Sequence, residues 1–157
     1  MQSNTSAVVE RNPQQTPSTI SPKQSTTLKT NVSFYETAAH EFRKAYELPL
    51  GLTISSLKLQ QTLIDEEHLE LAHAYLDLKK DITNKRAREH MLKELADLVY
   101  VCQQEAAAFG WDLQTAYNRV HASNMSKLGE DGKPLRREDG KILKGPNYFV
   151  PSLIDLV

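Results

Sequence analysis

The stretch "LIDEEHLELAHAYLDLKKDITNKRAREHMLKELADLVY", residues 63–100, decides the fold of this chain. Two runs with leucines at helical spacing flank a polar break, "KKDITNKR", and neither Gly nor Pro interrupts them. Acidic residues intrude on both runs amid the leucines. Glu67 and Glu70 are three residues apart on the first run, and Glu94 and Asp97 three apart on the second. Residues at i and i+3 share a helix face, so each run presents a carboxylate pair in one direction.

Folding back about the break makes an antiparallel hairpin. Glu70 and Glu94 are equidistant from Ile82, and so are Glu67 and Asp97. The pairs therefore come level, roughly 18–23 Å from the turn at a rise of about 1.5 Å per residue. Four carboxylates in one small volume raise one another's pKa, and a divalent cation resolves the conflict. An all-oxygen donor set suits a hard ion, Mg²⁺ with Mn²⁺ as a substitute. Glu66, four residues before Glu70, lies beside this face and is placed to take a proton from an attacking water.

Outward from the hairpin the chain reads as helices. "SFYETAAHEFRKAYELP" opens with Ser33 and Glu36 at capping-box spacing, then repeats Tyr35, Ala38, Phe42 and Tyr46 as an apolar face. Pro49 and Gly51 are expected to end that helix. The spacing predicts a second helix from about Ile54 to Lys80, with Leu59, Leu63, Leu69 and Leu76 as apolar positions. A third is expected from about Arg86 to Phe109, on Met91, Leu92, Leu95, Leu98, Val99, Cys102 and Phe109. Gly110 suits the C-cap of the third helix and Asp112 the N-cap of the fourth, which carries Leu113, Ala116, Tyr117, Val120 and Leu128. After Gly129 come two Asp-Gly-Lys turns and a basic, turn-rich segment, with a short helix expected after Pro151. The fold class is all-α, an antiparallel helical bundle with a turn-rich basic C-terminal segment.

Composition narrows the function. A net charge of −1 over 157 residues lacks the basic excess of a phosphate-neutralising nucleic-acid binder. No apolar run is long enough to span a bilayer and no signal-like segment follows Met1, so neither nucleic acid nor membrane is an expected partner. The single cysteine, Cys102, excludes an internal disulfide and reads as a small apolar residue of a helix; a cytoplasmic location is expected. Residues 1–31 are rich in Ser, Thr, Gln, Asn and Pro and read as a disordered tail, leaving 32–157 as one domain. His68, His73 and His90 read as surface or packing residues.

With "EEHLE" at 66–70, "ELAD" at 94–97, "VHASNMSK" and "REDGKILKGPNY", the sequence resembles the MazG-like, all-α nucleoside triphosphate pyrophosphohydrolases, nearest their dUTP pyrophosphatase branch. The resemblance covers roughly residues 34–157. It implies hydrolysis of a (deoxy)nucleoside triphosphate to monophosphate and pyrophosphate, with dUTP-type house-cleaning favoured. It further implies Glu67, Glu70, Glu94 and Asp97 as metal ligands and Glu66 as the carboxylate that activates water. Asn124 and Lys127 match nucleotide-contacting positions, and the resemblance implies a homodimer or homotetramer. Lys144, in the basic segment, is a further candidate for the triphosphate, and Gln61, just before the acids, for a base edge. The alternatives are a phosphoribosyl-ATP pyrophosphohydrolase and a non-catalytic helical module that binds metal or nucleotide.

Overall fold

Each helix begins where a short polar side chain accepts free backbone N–H groups of the first turn. In the computed structural model, which describes residues 33–157, α1 spans Phe34–Ala45, α2 Ile54–Lys80, α3 Lys85–Phe109 and α4 Leu113–Met125. The disordered tail expected over 1–31 lies outside the described residues. Ser33 caps α1 by accepting from the Glu36 N–H at 3.4 Å, which is one half of the expected box. Asn84 accepts from the N–H groups of Arg86 and Ala87, and Asp112 from that of Thr115. The complete reciprocal box lies instead at α2: Thr53 accepts from the Ser56 N–H and Ser56 from the Thr53 N–H. Gly110 closes α3 at φ 77, a left-handed conformation that costs a residue with a Cβ.

The link between α2 and α3 is only four residues, so the two helices return antiparallel and pack along each other, with α1 laid on α3. Helix α4 touches mainly the single 3₁₀ turn Ile154–Leu156, where Arg119 forks onto Asp155 at 2.5 and 2.7 Å. That turn stands where a short C-terminal helix is expected. Between α4 and the turn the chain makes two tight loops, with isolated bridges Leu128–Pro134 and Arg136–Ile142. Among the described residues there is no strand, and the architecture is an all-α bundle.

The buried face differs from the expected one. Apolar burial rests on Leu71 and on Ala39, Ala74, Ala106, Ala107 and Ala108, the alanines being small side chains that let the helix axes approach. Leu59, Leu69, Leu76, Leu92, Leu95 and Val99, expected to pack inward, are exposed. On α1 the buried positions are Ala39 and Arg43, while Tyr35 and Tyr46 face out. Helix α1 ends at Ala45, before Pro49 and Gly51, with Glu47 turning left-handed at φ 53.

Arg43 explains the shift of face. Arg43 is 5 % exposed, and its guanidinium donates to the backbone and side-chain oxygens of Gln104 and to the Pro49 carbonyl, tying α1 to α3 and to the α1–α2 link. Hydrogen bonds to a charged group contribute about 1.5–3 kcal/mol each, against the cost of desolvating the cation. Burial correspondingly pulls the Arg43 pKa down.

Candidate active site

The hairpin delivers three carboxylates to one point. Oxygens of Glu67 and Glu70 on α2 and Glu94 on α3 lie within 4.8 Å of one another. Glu94 is 2 % exposed, an unusual burial for an acid without pairing. Its partners are Lys93 Nζ, at 3.0 and 3.1 Å, and His90 Nε2 at 3.1 Å. His90, expected as a surface or packing residue, is thus an exposed neighbour of the cluster.

Asp97 is not one of the trio, yet among the nearby charges it acts most strongly on Glu67. Its Oδ2 accepts from Lys93 at 2.7 Å, a contact one helical turn long on α3. Lys93 therefore spans Asp97 and Glu94 with one ammonium, and these two partners raise its pKa well above the usual lysine value. Glu66 is exposed and lies outside the trio.

Glu67 carries the strain of the arrangement. Its Oε2 is buried without a hydrogen-bond partner. Desolvation pushes the Glu67 pKa up, helped by the charges of Asp97, Glu70 and Glu94 and opposed by Lys93. A buried, unpartnered oxygen on a carboxylate grouped with two other acids is costly unless a cation satisfies it. The donor set is all oxygen and fits a hard divalent ion.

A second group of expected residues gathers at the end of α4. Lys127 Nζ donates to Asn124 Oδ1 at 2.7 Å. Gly145 N–H donates to the Lys127 carbonyl at 3.0 Å, bringing Lys144 beside Lys127 along the backbone. Only a residue without Cβ fits there, since a Cβ on Gly145 would lie 2.2 Å from the Leu128 carbonyl oxygen. The Lys144 ammonium sits 4.3 Å from the Tyr148 ring centre.

Gln61 faces solvent, whereas its neighbour Gln60 is 4 % exposed. Helical rotation of about 100° per residue makes such neighbours opposite in fate, and the sequence offers two adjacent glutamines with nothing between them to choose. Lys93 and Gly145 were not singled out from the sequence either. Lys93 was legible as a basic residue four before Asp97, and Gly145 only as part of a Gly-Pro turn signal.

Residues 31–124 match the phosphoribosyl-ATP pyrophosphohydrolase family. The matched range contains α1, α2, α3 and nearly all of α4, hence the entire carboxylate cluster. No curated protein matches the chain.

Proposed function

The chain belongs to the phosphoribosyl-ATP pyrophosphohydrolase family, within the MazG-like all-α superfamily, and from that premise we propose that it hydrolyses the α–β phosphoanhydride of a nucleotide, giving a monophosphate and pyrophosphate. One observation carries this reading: Glu67, Glu70 and Glu94 converge, with a buried, unsatisfied Glu67 oxygen among them. Metal dependence is general in the family, and these residues fit a divalent ion. In this proposal Glu67, Glu70 and Glu94 hold Mg²⁺, with Mn²⁺ able to replace it, and Asp97 joins them by exchanging Lys93 for the ion. When bound, the ion neutralises charge that develops on phosphate oxygens as the anhydride breaks.

The protein's own groups do the rest. Glu66, exposed beside Glu67, takes the proton of the attacking water. Lys127 and Lys144, with Asn124, bind the polyphosphate through charge-assisted hydrogen bonds. The exposed leucines of α2 and α3 support assembly with further copies as a homodimer or homotetramer, since this much apolar surface is unusual for a lone chain.

Two substrate readings follow. A deoxynucleoside triphosphate, dUTP first, is supported by the segment after residue 124, "SKLGEDGKPLRREDGKILKGPNY" within it, which lies beyond the family match and carries Lys127 and Lys144. Phosphoribosyl-ATP is supported by the name of the matched family. A panel of the common ribo- and deoxyribonucleoside triphosphates, dUTP and phosphoribosyl-ATP, each with Mg²⁺ and with chelator, separates them. Preference for dUTP supports the first, and preference for phosphoribosyl-ATP the second. Failure of every nucleotide under Mg²⁺ and Mn²⁺ leaves the non-catalytic module.

A further inference from the structure

Two helical turns beyond the carboxylates, along the same seam of α2 and α3, the hairpin buries a pair of glutamines. Gln60 precedes Glu67 by the same spacing at which Gln104 follows Asp97, so the antiparallel register that levels the acids also levels the amides. Gln60 is 4 % and Gln104 5 % exposed. They differ in how they are satisfied. Gln104 accepts from Arg43 and donates to the Ala39 carbonyl, whereas Gln60 Oε1 is buried with no partner, as is Arg43 Nε.

All three side chains line one cavity of about 350 Å³, otherwise walled mainly by apolar residues such as Leu50, Leu59 and Leu63. An apolar slot with a few convergent polar groups is the usual form of a small-molecule site. Buried polar atoms without partners are rare in a finished core and expensive. Here one is a carbonyl-type acceptor and one an N–H donor. A nucleobase edge presents the complementary donor and acceptor on a flat, largely apolar ring.

Position selects the occupant. Seven residues of helix carry the seam about 10 Å from Gln60 to Glu67. A nucleotide spans a distance of that order from its α-phosphate, across the sugar, to the far edge of the base. We infer that this cavity is the base subsite of the substrate, with Gln60 as the specificity-determining residue and Arg43 as its positioning neighbour. The inference rests on the proposed nucleotide pyrophosphohydrolase activity, whose anhydride must lie at the carboxylates. The role expected of exposed Gln61 thereby passes to Gln60.

The test compares wild type with Gln60→Leu across the nucleotide panel, with inorganic tripolyphosphate as a base-free competitor. Loss of one buried hydrogen bond should raise KM for the preferred nucleotide about tenfold, leave kcat nearly unchanged and flatten the preference among bases. Inhibition by tripolyphosphate should stay the same, which a merely structural defect would not allow. Hydrogen exchange of the wild type, needing no variant, should show protection over residues 48–63 when the nucleoside monophosphate product is added. An unchanged base preference in Gln60→Leu, or protection confined elsewhere, overturns the inference. If the wild type cleaves no nucleotide, the activity falls separately, and monophosphate binding alone decides the cavity: protection of 48–63 supports a base subsite, and its absence removes it.

Discussion

Replacing Glu67 by Gln should make the metal-free protein more stable and the enzyme inactive. Oxygens of Glu67, Glu70 and Glu94 lie within 4.8 Å of one another. Two unit charges at that separation repel by about 0.9 kcal/mol in bulk water and about 3.5 kcal/mol at the effective dielectric near a protein surface. Glu67 has two such neighbours, a third acid in Asp97, and one opposing cation, Lys93. A net gain of about 1–2 kcal/mol for the neutral amide follows, or about 3–8 °C in Tm for a domain of this size. Saturating Mg²⁺ should reverse the order. At a hundred times its Kd an ion adds about 2.7 kcal/mol to the protein that binds it and nothing to one that does not.

The same pair of proteins isolates a pH dependence. The folded-state pKa of Glu67 is raised, chiefly by desolvation, so its charge penalises the fold above that pKa and the penalty vanishes below the unfolded value. The stability gap between Glu67→Gln and wild type should therefore be full at neutral pH and close as pH falls through the raised Glu67 pKa. Thermal melts with chelator and with Mg²⁺, repeated from neutral to acid pH, measure all three effects. A metal-free variant no more stable than wild type would refute the repulsion, and an equal response of both proteins to Mg²⁺ would refute the role of Glu67 as a ligand.

Other perturbations test separate parts. Lys93→Met removes the ammonium that competes with an ion for Glu94 and Asp97, so Mg²⁺ should bind about two- to fivefold more tightly by calorimetry. Gly145→Ala drives a methyl group into the Leu128 carbonyl, which should cost about 1–3 kcal/mol of stability by denaturant melts and raise KM by displacing Lys144 from Lys127. Arg119 holds the Asp155 pKa below the ordinary carboxylate value, so this pair stabilises the C-terminal turn at neutral pH and is lost as pH falls through the folded Asp155 pKa. Asp155→Asn should speed hydrogen exchange over residues 150–157 at neutral pH and make no difference in acid.

Most helix boundaries were legible in this sequence because their signals are local, although α1 stops at Ala45, short of Pro49. The long Gly- and Pro-free runs marked α2 and α3, and Asp112 and Gly110 marked a cap and a stop with their neighbours alone. Equal spacing about Ile82 was enough to bring Glu67, Glu70 and Glu94 together on paper, because a short link leaves the helices no register but an antiparallel one. What stayed hidden depends on partners distant in sequence. Arg43 is inside only because Gln104, sixty-one residues on, offers it oxygens. Periodicity placed leucines inward on α2 and α3, yet alanines and glutamines are buried there while Leu59, Leu69, Leu76, Leu92 and Leu95 face out. Hydrophobicity alone does not distinguish a face that packs within the chain from one available to another copy. Gln60 and Gln61 are indistinguishable until the rotation of α2 is fixed by its packing on α3.

The most direct measurement is ³¹P NMR of the reaction mixture with the preferred nucleotide, with Mg²⁺ and then with excess chelator. Pyrophosphate and nucleoside monophosphate should grow together in equal amounts, and both should stop when the ion is removed. Orthophosphate as the first product, or turnover indifferent to the chelator, would contradict a divalent-metal pyrophosphohydrolase built on Glu67, Glu70 and Glu94.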